Sequence, residues 1–277
     1  MAHDPYREFR QAVDRPEDQI DLGRAALTIA LSDYPNLNIT GYLARIDRLA
    51  VDVSQRRSDE SDAYHSIATL NDVLFKQQGF RGNAEDYYDP KNSFLNEVLE
   101  RKTGIPITLS VLYIEVAQRI GLDLEGVNFP GHFLVKHQSP DGEIVIDPFH
   151  GGAIQTAGDL GATLKGLYGA NVTLKPEFLE PASKKQILKR MLGNLKTIYL
   201  RDGEFGRALS VCDRLIILDP AAADEVRDRG AVYLKLEIFN RAREDFETYL
   251  GLAPDARDTS LIRDQLITLA KRVTLIH

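Results

Sequence analysis

The stretch Asn92–Leu122 decides how the fold is interpreted: NSFLNEVLERKTGIPITLSVLYIEVAQRIGL. Its first part predicts a short helix from about Phe94 to Arg101, which the following Thr-Gly-Ile-Pro sequence would end. Pro106 stands where a second helix can begin, because the first residue of a helix needs no backbone N–H. The residues Ile107 to Ile120 are apolar almost all round. We therefore predict a central buried helix rather than a surface helix.

The residues after this helix predict short strands joined by turns. We expect strands at Leu124–Phe129, His132–Gln138 and Glu143–Asp147, the last two joined by the turn Ser139–Pro140–Asp141–Gly142. Helices followed by an antiparallel sheet are typical of an α+β domain. We place this core domain at residues 65–175 and expect residues 1–64 to form an N-terminal helical segment packed on it.

The predicted hairpin brings a histidine and an aspartate to one face of the sheet. With an even-numbered loop centred between Pro140 and Asp141, Leu134 lies opposite Asp147. His132 and Asp147 are then diagonal neighbours, close enough for their side chains to meet. An odd-numbered loop would place them on opposite faces. Because a carboxylate that orients an imidazole is part of a nucleophilic triad, this pair is the candidate site.

The C-terminal third of the chain contains an internal repeat with a period of 34 residues. The matching pairs are Tyr199 and Tyr233, Ala208 and Ala242, Cys212 and Phe246, and Pro220 and Pro254. This period and these positions resemble the tetratricopeptide repeat, in which each unit is a pair of helices. We predict an all-α domain over residues 183–277, with repeats at 187–220 and 221–254 and a capping helix at 259–273. Lys196 departs from the pattern, since Gly230 holds the same position in the second unit.

Three segments together resemble one bacterial family of uncharacterised proteins, in which a transglutaminase-like core precedes tetratricopeptide repeats. They are Asn92–Leu122, PGHFLVKH at Pro130–His137, and IVIDPFHGG at Ile144–Gly152. The core resemblance covers roughly residues 65–155, and the repeats extend it to the C-terminal end. It implies an α+β, cysteine-proteinase-like fold with His132 and Asp147 in the places of the triad.

The resemblance also shows that the nucleophile is missing. The typical core has a cysteine at the start of its central helix, and here that position holds Pro106, which has no nucleophilic atom. The only cysteine of the chain, Cys212, falls at a packing position of a repeat helix. Thr108 and Ser110 in the first turns of the central helix are weaker candidates, because hydroxyl residues inside helices are usually structural.

The sequence predicts no cofactor and no metal. His132, Asp147 and His150 are residue types that bind metals, but their spacing matches no recognised metal motif and no cysteine pairs accompany them. Gly151–Gly152 lacks the phosphate-loop pattern and predicts a turn. The tyrosines of the loop Asp86–Tyr87–Tyr88–Asp89 could either rim a binding groove or pack on one another.

Composition excludes several classes of partner. The 277 residues carry a net charge of −7, which argues against nucleic acid because such binders need a basic face. No apolar run is long enough to cross a membrane, and the charged N-terminus does not resemble a signal peptide. A single cysteine favours a cytoplasmic protein without disulfides.

Three functions stay open at this point. The leading hypothesis is a pseudoenzyme that acts as a protein-interaction scaffold, binding a protein or peptide through its repeats and through a groove lined by His132 and Asp147. The alternative is an amide hydrolase or acyl-transferase with His132 as general base, oriented by Asp147, and Thr108, Ser110 or a water as nucleophile. A purely structural domain of a larger assembly is the third, and the oligomeric state is left open.

Overall fold

The chain is seen in a computed structural model that describes residues 6–57, 62–139 and 142–276. The described residues form two compact units. One unit is Gln11–Met191, and the other runs from Leu192 to the C-terminal end and includes the N-terminal segment up to Arg10. Helix and sheet share the first unit, whereas the second is helical. The chain is thus an α+β domain followed by an all-α region, as predicted.

Within the described residues, the first part of the chain contains seven α-helices, one of which is buried on nearly all sides. They are α1 (Arg7–Val13), α2 (Leu22–Ile29), α3 (Ile39–Ser54), α4 (Ala63–Asn71), α5 (Leu95–Arg101), α6 (Pro106–Arg119) and α7 (Ala157–Tyr168). Helix α6 begins at Pro106 and is buried on nearly all sides, which confirms the prediction of a central helix. It packs against α2, α3 and α5, and also against the sheet.

Helix α7 was not predicted from the sequence. Its glycines give it a weak helical propensity, and only Leu160 and Leu164 are buried along it. The helix is started by a capping box, in which Thr156 and Asp159 bond to each other's backbone N–H groups. Tertiary contact of two leucines, rather than a long apolar stripe, holds this helix in place.

Two small sheets accompany these helices. Their strands are β1 (Arg81–Gly82), β2 (Thr103–Gly104), β3 (Glu125–Val127), β4 (Leu134–Ser139), β5 (Gly142–Asp147) and β6 (Ala153–Gln155). The first two strands pair in parallel, and the others form an antiparallel sheet in the order β3-β4-β5-β6. The three predicted strands are present, but β1, β2 and β6 are too short for their periodicity to be recognised in the sequence.

The β4–β5 hairpin has the predicted register. Val135 pairs with Ile146 and Ser139 pairs with Gly142, so the loop holds an even number of residues. The two central turn residues, 140 and 141, lie outside the described part of the chain. One prediction was wrong: His132 precedes β4 instead of lying in it, because Gly131 adopts a φ of +73° and turns the chain before the strand.

The segment Asn171–Pro181, whose two prolines are typical of a linker, packs on the core instead. Its apolar side chains Val172, Leu174, Phe178 and Leu179 are partly buried against an apolar cluster of the sheet and α7. The backbone N–H of Ala182 donates to the carbonyl of Gly126 at 2.7 Å. The segment is therefore docked along strand β3, because burying its apolar residues removes them from water.

The helical region contains two helix pairs and a final helix. These are α8 (Lys184–Arg201), α9 (Phe205–Leu218), α10 (Ala223–Lys235), α11 (Phe239–Leu252) and α12 (Thr259–Ile276). Ser183 and Gln186 form a capping box at the start of α8. Ala208 and Ala242 are fully buried where the helices of each pair meet, as the repeat predicts.

The ion pairs of Lys196 account for its departure from the repeat pattern. Where the second unit has Gly230, with Phe246 packed against it, the Lys196 ammonium group bonds to Glu225 at 2.6 Å and to Asp228 at 2.8 Å. Both acidic residues lie on α10, the first helix of the next repeat. An ion-pair network therefore joins neighbouring units at this position.

Candidate functional site

Asp147 is fixed in place by the turn that follows β5. Its Oδ1 atom accepts hydrogen bonds from the backbone N–H groups of Phe149 at 3.0 Å and His150 at 3.3 Å. Pro148 begins this short 3-10 turn, Pro148–His150. Because Oδ1 is held by the backbone, the second oxygen, Oδ2, is free to meet side chains.

His132 reaches Asp147 from the other side of the hairpin. Its Nε2 atom lies 2.9 Å from Oδ2 of Asp147, and its backbone N–H donates to the carbonyl of Phe129 at 3.0 Å. The structure therefore brings together the two residues that the hairpin register predicted as neighbours. Their functional role stays a prediction.

His150 joins the same carboxylate, which the sequence argument missed. Its Nδ1 atom lies 2.7 Å from Oδ2 of Asp147, so one oxygen faces two imidazole rings. A 3-10 turn has three residues per turn, which places residues i and i+3 side by side. The Asp-Pro-Phe-His sequence was therefore a usable signal, because a proline after the aspartate favours such a turn.

The environment favours the ionised form of Asp147. Burial of the carboxyl group opposes ionisation, but hydrogen bonds and charge from His132 and His150 outweigh that effect and hold the pKa of Asp147 below its ordinary value. The Asp147 side chain is 5% exposed and that of His132 is 16% exposed, whereas His150 is 65% exposed. The cluster therefore opens to solvent on the side of His150.

Aromatic side chains line one wall of the site. The Phe149 ring meets the rings of His132 and His150 edge-on, with centroid distances of 6.0 Å and 5.1 Å. The centroid of the Tyr87 ring lies 6.2 Å from that of Phe149. Tyr87 is one of the two loop tyrosines singled out in the sequence, and burial raises its pKa. Gly82 makes this packing possible, since a Cβ atom there would lie 2.6 Å from the Phe149 ring.

The hydroxyl candidates lie inside the core. Thr108 is fully buried, and its Oγ1 donates to the carbonyl of Asn92 at 2.7 Å and accepts from the N–H of Ile105 at 3.2 Å. Ser110 is also fully buried. A nucleophile must reach its substrate, so neither hydroxyl is placed to attack one.

The start of the central helix has no reactive group where the resemblance expects one. Pro106 is buried at the first position of α6, and α6 packs against the turn Pro148–His150 next to the site. Cys212 lies in α9 of the other unit and is fully buried. Burial raises the pKa of its thiol to about 12, which is the opposite of the shift that activates a cysteine.

Two family models match the chain in sequence order. The model described as transglutaminase-like superfamily matches residues 40–193, and the model described as tetratricopeptide repeat matches residues 195–267. The chain belongs to the transglutaminase-like superfamily. In this superfamily member, the first match contains the hairpin, the central helix and the segment docked on the sheet, and the second contains the end of α8 together with α9, α10 and α11.

Relatives over nearly the full length are bacterial. The chain is 36% identical over 264 residues to a UPF0162 protein of Xylella fastidiosa (strain 9a5c), with 94% of each chain covered. It is 27% identical over 247 residues to the UPF0162 protein YchA of Escherichia coli K12 and 26% identical over 247 residues to protein SirB1 of Salmonella typhimurium, in each case with 88% of this chain and 90% of the relative covered. Each of these relatives covers the core and the repeats together.

The site of this transglutaminase-like protein also contains three side chains of the types that can bind metals. Atoms of His132, Asp147 and His150 that could act as ligands all lie within 4.8 Å of one another. The three side chains are thus close in space, although their spacing in the sequence matches no recognised metal motif. Within the described residues, none of the helices combines the length and apolar character needed to cross a bilayer.

Proposed function

We propose that this protein is a non-catalytic member of the transglutaminase-like superfamily that acts as a protein-interaction scaffold. Two observations together carry the proposal: Pro106 stands at the start of α6, and His132 and Asp147 form a pair at 2.9 Å. Acyl transfer through a covalent intermediate needs a nucleophile, and proline supplies none. The buried cluster then serves to shape a groove.

The repeats supply the docking surface in this proposal. Tetratricopeptide repeats generally bind other proteins, and stacked helix pairs create an extended surface for that purpose. Apolar side chains are exposed on α12, where Leu261 is 58% exposed and Ile267 is 56% exposed. Leu261 also lines a groove with residues from the end of α10, including Leu234 and Lys235. Exposed apolar side chains beside a groove are typical of a protein-binding site.

A cytoplasmic partner is part of the same proposal. The single cysteine is unpaired and buried, which suits a reducing compartment.

In the core, Tyr87 and Phe149 offer aromatic surface next to polar groups of His132 and His150. This combination suits an extended peptide that places one polar side chain at the histidines.

A charge placed in the helical groove tests the scaffold. Full-length protein and the variant Leu261→Asp are used to capture partners from bacterial lysate, with Leu252→Asp as the matched control. Leu252 is 43% exposed at the end of α11 and does not line the groove. The proposal expects proteins bound by wild type and by Leu252→Asp to be lost with Leu261→Asp. Equal recovery with all three proteins would refute docking at this groove.

A second candidate is an amide hydrolase in which His132 activates a water. The hydrogen bond between His132 and Asp147 favours it, because an oriented imidazole can act as a general base without a cysteine. Hydrolysis of peptide or glutamine amides by the full chain should fall by about 100-fold or more in His132→Ala. Activity that His132→Ala leaves unchanged would exclude this mechanism.

A further inference from the structure

The two histidines and the aspartate at the end of the hairpin form a set of donor atoms that goes beyond the proposed scaffold role. Nε2 of His132 and Nδ1 of His150 both face Oδ2 of Asp147, and the three atoms lie within 4.8 Å of one another. We propose that His132, Asp147 and His150 bind a Zn²⁺ ion through three protein ligands. The proposal depends neither on docking at the repeats nor on catalysis.

The donor types select the ion. Neutral imidazole nitrogen and carboxylate oxygen are both zinc ligands, and two nitrogens with one oxygen form a set that zinc uses with a fourth position open. Ca²⁺ and Mg²⁺ prefer sets made of oxygen atoms. Cysteine-rich zinc sites are excluded here, because the chain has a single cysteine.

The distances suit a shared ion. Ligand atoms about 2.0–2.1 Å from a zinc ion at tetrahedral angles are separated from each other by roughly 3.3 Å. The two nitrogen-to-oxygen distances of 2.9 Å and 2.7 Å need only a small expansion to reach that value. The distance between the two nitrogens can adjust through His150, whose side chain is 65% exposed.

The imidazole protons lie on different ring nitrogens in the zinc-free and the zinc-bound cluster. Without an ion, His132 and His150 each direct an N–H group at the same carboxylate oxygen. When zinc binds, those nitrogens supply lone pairs instead, and each neutral ring carries its proton on its other nitrogen. The exchange replaces two hydrogen bonds by three metal bonds, with Asp147 as the carboxylate ligand.

The supporting structure orients the ligands before an ion binds. The Oδ1 atom of Asp147 is held by two backbone N–H groups, which leaves Oδ2 directed at the histidines. The Phe149 ring packs edge-on against both imidazoles and limits the space that they can occupy. Such outer contacts strengthen metal sites because they fix the ligands in position. The exposed side of His150 leaves the fourth position open to water or to a donor group of a bound peptide.

Zinc titration of the full-length, tag-free protein tests the site. The protein is stripped with a chelator, and Zn²⁺ is added in a calorimeter against a competing chelator. Wild type should bind one ion at this site, and His150→Ala should bind it more than about 100-fold more weakly, since even outer contacts are worth about 10–100-fold. His137→Ala is the matched control, because His137 lies in β4 and bonds to the carbonyl of Asp123 at 2.7 Å.

Two results of the titration would overturn the proposal. If wild type takes up no zinc, or if His150→Ala binds it as tightly as His137→Ala, the cluster is not a zinc site. His150 is exposed, so its removal leaves the fold intact, and a thermal melt of each variant verifies this. The visible spectrum of Co²⁺-loaded protein is the second measurement, with low-coordinate absorption in wild type that is lost in His150→Ala. Partner capture by Leu261→Asp is read separately, so either idea can fail alone.

Discussion

At the scale of single residues, Asp147 determines the arrangement of the candidate site. One of its oxygens accepts two backbone N–H groups of the following turn, and the other faces two imidazole rings. It is 4% exposed, so these partners replace the water that the carboxylate has lost. Pro106 at the start of α6 has the reverse significance, because it supplies no reactive atom and serves only as a helix start.

Asp147→Asn should destabilise the protein at neutral pH. The amide oxygen can still accept the hydrogen bonds of the turn. The amide N–H₂ group, however, faces imidazole nitrogens that donate hydrogen bonds in the wild type, so both histidines must change tautomer. The negative charge of the carboxylate is also lost. We expect a decrease of about 1–3 kcal/mol in the free energy of unfolding, measured in urea at neutral pH. Asp255→Asn on the exposed surface serves as the control and should change little.

The same variant has a predicted pH dependence. The pKa of Asp147 in the folded state is below its ordinary value of 3.8, so its ionised form contributes stability above that value. This contribution is lost as the pH falls through the folded-state pKa. The stability difference between wild type and Asp147→Asn should therefore shrink as the pH falls below about 4. A difference that grows below that pH would contradict the assignment.

At the scale of elements, the turn Gly151–Gly152 connects the site to the central helix. Both glycines have positive φ values, of +70° and +76°. The carbonyl of Gly152 accepts a hydrogen bond from the Asn71 side chain at 2.9 Å, and Asn71 in turn accepts one from the Tyr113 hydroxyl of α6 at 2.8 Å. The end of the hairpin is therefore tied to α4 and α6 by side chains.

Alanine substitutions at the two glycines should differ in cost. Gly152→Ala adds backbone strain and places a Cβ atom on top of the Asn71 side chain, so we expect a loss of about 2–4 kcal/mol. Gly151→Ala has open space around it and should cost only the strain of a positive φ, about 1–2 kcal/mol. Urea unfolding of both variants measures the difference. Equal losses would mean that the contact with Asn71 contributes nothing.

Alanine substitutions at two glycines of the repeats should change the stability of the helical unit in opposite directions. Gly230→Ala places a Cβ atom 2.8 Å from the Phe246 ring and should destabilise the helical unit by about 1–3 kcal/mol. Gly193→Ala in α8 meets nothing within 4 Å and should stabilise it by up to about 1 kcal/mol, because alanine has the higher helix propensity. Thermal melts of the two variants check the signs, and a stabilised Gly230→Ala protein would contradict the packing.

At the scale of the whole molecule, the cysteine lies outside the part of the chain that matches the superfamily of cysteine enzymes. The superfamily match covers residues 40–193, whereas Cys212 lies in the repeat match. There it fills the packing position that Phe246 holds in the second repeat, and both are fully buried. The thiol is thus part of the core of the helical unit.

The thiol should therefore be unreactive in the native protein. Its pKa is raised to about 12 by burial, so almost no thiolate exists at neutral pH. We expect alkylation by iodoacetamide to be limited by opening of the helical unit and to become fast in urea. Gly230→Ala should accelerate labelling, since it destabilises the same unit. Rapid labelling of folded wild type would show that Cys212 is accessible after all.

Much of the fold could be predicted because its signals are local. The buried helix from Pro106, the antiparallel hairpin with Val135 opposite Ile146 and the 34-residue repeat each follow from spacing within one short window. Family membership followed from the same segments. The role of His132 and Asp147 was not determined by these signals, because the same pair could either catalyse a reaction or only line a groove.

The sequence by itself determined the buried helix, the hairpin, the repeat and the absence of a cysteine from the transglutaminase-like domain. Only the tertiary structure decided that Gly82 pairs with Gly104, that the segment 171–181 docks on the sheet, and that His150 meets Asp147 beside His132. The physical reason is the range of the interactions. Periodicity reports which face of an element avoids water, whereas these contacts arise when several elements pack together and bring distant or apparently exposed residues to one place.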